Sequence, residues 1–273
     1  MKKILIIAAA LLSLSACVKD EIFKGPSSID KVVFAPEAPT SFTDVTVTAT
    51  VSGLQKVTAA TLKYNGTDIA MSGSGNSFTA TIPAQANGTT VEFTVSVTNE
   101  AGFTTTSDKF TYKVGDPATD WSKLKLNEVY GAGADEEKFF ELYNGSDFPI
   151  RLTGVTISKD EDTCWTGIDG EVVPAKGWFA IVGAKKTTER GFTSGFSAKK
   201  SVIVELFAPD GTKLDTFQRG DKGEDGKWGT TITSYSGSWS RVPDGTGKWM
   251  RTDALTPGAA NSTAAEEDDY AKN

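Results

Sequence analysis

The chain has 273 residues, 38% of them hydrophobic, with 28 basic against 35 acidic side chains and a net charge of −7. Such a surface repels nucleic-acid phosphates, which argues against a nucleic-acid partner. Histidine is absent, and with it go Ser-His-Asp and Cys-His catalysis and the usual histidine zinc sites.

The chain opens Met1-Lys2-Lys3, runs through the apolar stretch Ile4 to Leu12, and reaches Leu14-Ser15-Ala16-Cys17. A basic start, a short apolar stretch and small residues before a cleavage point make a secretory signal over residues 1–16. The apolar run falls short of the ~20 residues that a spanning helix needs. Leu14 to Cys17 resembles the bacterial lipobox, which implies that Cys17 is lipidated and becomes the new N-terminus. An ordinary secretory signal that ends beside a cysteine is the alternative. Lys19, Asp20 and Glu21 follow at once, and resemble the surface-export signal of Gram-negative lipoproteins of the Bacteroidota type. A solvated polar tether is the plainer reading of the same three residues. Together these segments predict an outer-membrane lipoprotein, palmitate-type acyl chains holding it and the protein facing the cell exterior. Loss of Lys2 and Lys3 with the signal leaves 26 basic and 35 acidic side chains, a net charge near −9. Residues 17–30 read as a flexible tether. Lipidation of Cys17 leaves Cys164 as the one remaining thiol of the two cysteines, so no internal disulfide forms.

Residues 31–115 carry sheet periodicity. Val45, Val47, Ala49 and Val51 alternate with Thr46, Thr48 and Thr50, which predicts one apolar face and one wet one. Phe78 to Ile82 and Val91 to Thr98 repeat the pattern, and Phe110 to Val114 closes it. Asn65-Gly66 and Asn87-Gly88 are hairpin or turn signals. Short strands with turns every ten residues or so predict a β-sandwich, and the module resembles the immunoglobulin-like domains of bacterial surface proteins.

Gly115 to Asp120 contains proline and polar residues that end the last strand, so residues 116–120 read as a short linker. The second module, 121–262, begins Leu124-Lys125-Leu126-Asn127-Glu128-Val129, followed by Phe139-Phe140-Glu141-Leu142-Tyr143-Asn144. Gly177 to Val182 reads as a half-buried strand, and Val202 to Phe217 as a hairpin about Pro209-Asp210-Gly211. The module closes with Ser238-Trp239-Ser240-Arg241-Val242-Pro243-Asp244-Gly245 and Thr256-Pro257-Gly258-Ala259-Ala260-Asn261. In this order the segments resemble the lamin tail domain, which implies a second immunoglobulin-like sandwich. The expected fold class is therefore all-β, two tandem immunoglobulin-like sandwiches behind a cleaved lipoprotein signal.

Arg241 is placed to donate to carbonyls or to a carboxylate such as Glu141. Trp239 and Trp249 are expected in the core, and Glu128 and Glu141 as structural acceptors without a nucleophile or base to serve. Asp160 to Trp165 and Arg219 to Gly229 read as enlarged loops, the usual carriers of binding function. Trp165 and Trp228 in these loops are the candidate ligand contacts. Arg219-Gly220-Asp221 spells the integrin-binding tripeptide by chance composition. Asp221 to Gly226 resembles half of a calcium loop, but Ile232 stands where the closing acidic ligand belongs. Asp160, Glu161 and Asp162 are the remaining calcium candidates, and otherwise no cofactor, metal or catalytic residue is indicated. Residues 263–273, with Glu266-Glu267-Asp268-Asp269, read as a disordered acidic tail. The sequence thus describes a non-enzymatic surface lipoprotein for adhesion, scaffolding or partner binding. The alternative is a glycan-binding accessory lipoprotein of a nutrient-uptake system.

Overall fold

The computed structural model describes residues 24–186, 189–192 and 195–273. The signal segment, Cys17, Lys19, Asp20 and Glu21 lie outside the described residues. The chain divides between Asp116 and Pro117 into two compact units. Both are built of antiparallel strands, and two 3-10 turns, Trp121–Lys123 and Asp135–Glu137, are the helical elements among the described residues. The all-β class expected from the sequence is observed.

The first unit contains β1 (Ser28–Ala35), β2 (Val45–Ser52), β3 (Val57–Tyr64), β4 (Thr67–Ala70), β5 (Ser72–Ser74), β6 (Ser77–Ile82), β7 (Thr90–Asn99), β8 (Thr104–Thr106) and β9 (Phe110–Lys113). One sheet runs β1-β2-β6-β5 and the other β4-β3-β7-β8, with β9 also on β7. Alternation does what it predicts: Val45, Val47, Ala49 and Val51 of β2 face Val91, Phe93, Val95 and Val97 of β7 in one core. The β2–β6 register sets Val45 against Ile82 and Ala49 against Phe78, stacking apolar pairs on the buried face. Asn65 and Gly66 adopt φ of 45° and 85°, which fits the two-residue turn joining β3 to β4. Strands β8 and β9 are one edge broken at Ser107, where Val95 N donates to Ser107 Oγ at 3.0 Å and Ser107 N returns a bond to Val95 O at 2.8 Å.

The second unit contains β10 (Leu124–Tyr130), β11 (Phe139–Asn144), β12 (Ile150–Arg151), β13 (Thr156–Lys159), β14 (Asp162–Thr166), β15 (Val172–Val173), β16 (Trp178–Val182), β17 (Val202–Phe207), β18 (Lys213–Arg219), β19 (Ser238–Val242), β20 (Lys248–Thr252) and β21 (Glu266–Glu267). A six-stranded sheet, β16-β11-β10-β19-β20-β21, packs on a four-stranded sheet, β14-β13-β17-β18, with the pair β12-β15 at the side. Leu124, Leu126, Phe140 and Leu142 from the first meet Ile157, Val204, Leu206 and Phe217 from the second. Trp239 and Trp249 are buried at the same core, as the sequence suggests.

Three expectations need correction here. Asp160 to Trp165 is not an enlarged loop: Asp160 and Glu161 take φ of 52° and 77° and turn β13 directly into β14. Asp tolerates this left-handed region better than most residues, which suits Asp160, and Glu161 completes the turn without glycine. Arg219 is no part of the enlarged loop read from Arg219 to Gly229: it ends β18 and is only 2% exposed. The tail is not disordered. Met250 and Arg251 pair with Glu267 and Glu266, extending the sheet edge, and Asp268 is buried against Arg219 Nε at 2.8 Å. A free strand edge supplied hydrogen bonds and a buried guanidinium supplied a counter-charge, so an acidic run that looks solvated became structure.

Candidate functional site

A bulge in β10 builds the most polar interior of the second unit. The β10–β11 register slips between Leu126 and Glu128. The extra residue, Asn127, reverses the facing of the rest of the strand, so Val129 joins the core and Glu128 turns to the outer face of the sheet. There it stands opposite Glu141 of β11 and next to Ser240 of β19. Segment 253–265 crosses over this face and covers it.

Each carboxylate oxygen under the cover accepts a hydrogen bond. Ser238 Oγ donates to Glu128 Oε1, and Thr256 N and Oγ1 donate to Oε2 at 3.1 and 2.7 Å. Asn127 Nδ2 donates to Glu141 Oε1 at 3.0 Å, and Gly258 N donates to Oε2. The same Asn127 amide reaches Asp244 Oδ1 at 2.9 Å, while Asn127 Oδ1 accepts from Gly245 N at 2.8 Å. Asn261 ties the cover down by donating to Asn127 O and Arg241 O at 3.1 and 2.9 Å. Gly245 has φ of 66°, and a Cβ there would meet the Tyr143 ring at 2.5 Å, so the turn after Asp244 admits glycine alone. Burial pushes the Glu141 carboxyl up to about 8 against the pull of its donors, and it raises Glu128 in the same direction.

Arg241 is held elsewhere than Glu141. It donates from Nε to Leu126 O at 3.0 Å, from Nη1 to Gly247 O at 2.9 Å, and from Nη2 to Asp215 Oδ1 at 2.7 Å. Its guanidinium lies 4.6 Å from the Trp249 ring centroid. Asp215 Oδ2 in turn accepts from Leu126 N at 3.0 Å, filling a ladder gap beside the bulge. The chemistry of the whole cluster is that of a lock. Acceptors are matched to donors of the chain, the Ser238 and Thr256 hydroxyls among them.

The outer side of the same covering segment lines an open groove of about 670 Å³. Tyr235, Arg251, Asp253 and Glu266 supply its polar groups, with Ala254 and Ala264 between them. Tyr235 Oη donates to Asp253 Oδ1 at 2.9 Å, and Arg251 lies 5.6 Å from the Tyr235 ring centroid. Burial, then the bond to Asp253, pushes the Tyr235 hydroxyl up to about 12. This groove was not legible in the sequence, because its walls come from the loop before β19, from β20, and from β21 with the residues leading into it.

The sequence candidates divide. Trp165 lies on β14 and is 3% exposed, its ring within the core and 4.8 Å from the Arg190 guanidinium. It is therefore no surface contact: a strand position between the sheets claims the ring. Trp228 is half-buried in the 220–230 loop, with Lys222 Nζ 5.8 Å from its ring centroid. Asp160 accepts from Ile203 N at 3.2 Å and pairs with Lys159, and Glu161 pairs with Lys222. Asp221 pairs with Lys272 at 2.9 Å. Cys164 packs at the core edge, where burial pushes its thiol up to about 12. No group of three acidic or cysteine ligands suited to a metal ion occurs among the described residues.

The comparison with known families covers the stretch of chain from β10 to β18. Residues 117–221 match the lamin tail domain. The matched segment takes in the bulge, both glutamates and Asp215, and β19 to β21 lie outside it but join the same six-stranded sheet as β10 and β11. No curated protein matches the chain. Among solved structures, fibronectin(III)-like modules of CbhA from Clostridium thermocellum share 13% identity at a TM-score of 0.28, covering 70% of this chain and 90% of theirs. The protein SGBP-B of the Bacteroides ovatus mixed-linkage glucan utilization locus, solved with a mixed-linkage heptasaccharide, shares 12% at 0.27, covering 88% and 70%. A cycloalternan-forming enzyme from Listeria monocytogenes shares 16% at 0.25, and the chain spans about a fifth (21%) of its length.

Proposed function

We propose that the chain is a lipid-anchored surface protein that binds a partner and catalyses no reaction. The observation that carries the second half of this reading is the occupancy of Glu128 and Glu141. Acid–base chemistry needs a carboxyl within reach of a substrate proton, and here the chain itself takes the oxygens and covers them. The first half rests on the lipobox at Cys17 and the acidic stretch behind it. Replacing Cys17 by Ser should move the protein from membranes to a soluble fraction and abolish fatty-acid labelling; retention with unchanged label defeats it. Replacing Lys19, Asp20 and Glu21 by alanine should leave the lipid in place and hide the protein from protease added to whole cells.

A glycan is the partner class favoured by one feature, the groove beside Tyr235. An aromatic edge among planar polar side chains suits a saccharide, which offers hydroxyls and apolar ring faces together. Its test is a glycan array on the Cys17→Ser chain, with Tyr235→Ala and Arg251→Ala as controls. Binding that survives both substitutions moves the ligand away from the groove.

A further inference from the structure

The described chain enters the first unit at the end that carries its most exposed apolar side chain. Gly25 and Ser27 are buried there. Asn99 Nδ2 donates to Gly25 O at 2.8 Å and Thr105 Oγ1 donates to Ser27 O at 2.6 Å. Gly53 packs on Ser27, and Glu100 N donates to Lys56 O at 2.8 Å, so the 53–56 and 100–103 loops are joined beside the entering chain. Leu54 in the first loop is 76% exposed and Phe103 in the second 44%. The chain leaves the unit at the opposite end, where Gly88 N donates to Val114 O and Gly115 N to Pro39 O.

Charge on the entry end is balanced. Lys24 and Lys56 stand with Asp30 and Glu100, in a chain whose net charge is −7. Asp30 accepts from Ser52 Oγ at 2.8 Å and Glu100 from Lys56 N at 3.4 Å. This end is thus spared the surplus of acidic groups that sets the charge of the chain.

Cys17 precedes Lys24 by seven positions, a span of at most ~25 Å for any chain conformation. We infer that the loop end bearing Leu54 and Phe103 rests on the bilayer that holds the Cys17 lipid, as a second point of attachment. The inference rests on the anchoring reading above. Two apolar side chains bind a membrane weakly by themselves. A short tether makes their contact intramolecular, and the high local concentration of lipid does the rest. The first unit then stands with its entry end down and passes the chain onward from the far end.

The test labels single cysteines with an environment-sensitive fluorophore in a Cys164→Ser background. Leu54→Cys and Phe103→Cys report on the entry end, and Asp68→Cys, exposed on β4, reports on water. The full lipidated chain is reconstituted in phosphatidylethanolamine–phosphatidylglycerol vesicles, and its mass gives the acyl content. Blue-shifted, brighter emission at 54 and 103 with none at 68 is expected. An acyl mass with aqueous spectra at 54 and 103 overturns this inference alone. No acyl mass overturns it together with the anchoring reading. The same shift in soluble Cys17→Ser protein without vesicles also overturns it, since a second copy of the chain then covers the loops.

Discussion

Glu128 and Glu141 face one another across β10 and β11, and the second holds its proton up to about pH 8. Two like charges opposed on neighbouring strands repel one another. Keeping one of them neutral near pH 7 removes that repulsion beneath the covering segment.

Stability should therefore fall with rising pH. An acid whose native value is raised binds its proton more tightly when folded. The contribution of Glu141 is complete below its ordinary value of 4.5 and is lost by about 8. Thermal unfolding of the wild type between those values should show the decline, and Glu141→Gln should flatten it. An unchanged slope in the variant refutes the assignment.

Asp268 should impose the opposite trend at lower pH. Burial works against its ionisation, but Arg219 and Trp239 outweigh that and hold the carboxyl below its usual range. Its contribution is present above the ordinary carboxylate value and is lost as pH falls through the native one. Arg219→Ala leaves the acid buried and unpaired, at a cost of about 3–5 kcal/mol. Chemical denaturation of that variant is the measurement, and a loss under about 1 kcal/mol counts against the clasp.

Asn127→Ala removes the amide that joins Glu141, Asp244 and Gly245. Buried acceptors left without donors cost about 1–3 kcal/mol each. The loss should exceed that of Thr153→Ala on the surface by at least that amount, read by urea unfolding.

The two tryptophans should separate cleanly. Trp165→Ala vacates core volume and should cost about 3–5 kcal/mol. Trp228→Ala, half-buried in its loop, should cost far less. Equal losses would place both rings in the core.

Strands such as β2, β6 and β7 were legible because one face meets a core and the other water, which writes itself as alternation. The Asn65-Gly66 turn was legible because few residues accept its backbone. The bulge at Asn127 was not: nothing local marks an inserted residue, and its effect appears only when β11 and β19 set the facing. Trp165 was misplaced because polar neighbours on β14 mask a ring that the opposite sheet receives. Asp268 was misplaced because its partner, Arg219, lies 49 positions earlier, and charge runs carry no sign of a distant guanidinium.

The covering segment also fixes an order of assembly. Thr256 closes on Glu128 across 128 positions of chain, and Trp239 then receives Asp268. A polypeptide delivered N-terminus first can finish its first unit from residues 24–116, while the second stays open until its last strand arrives. Pulsed proteolysis of chains halted at residue 250 should find the first unit resistant and the second digested. Late closure keeps residues 117–273, more than half the length, pliable until the chain is nearly complete.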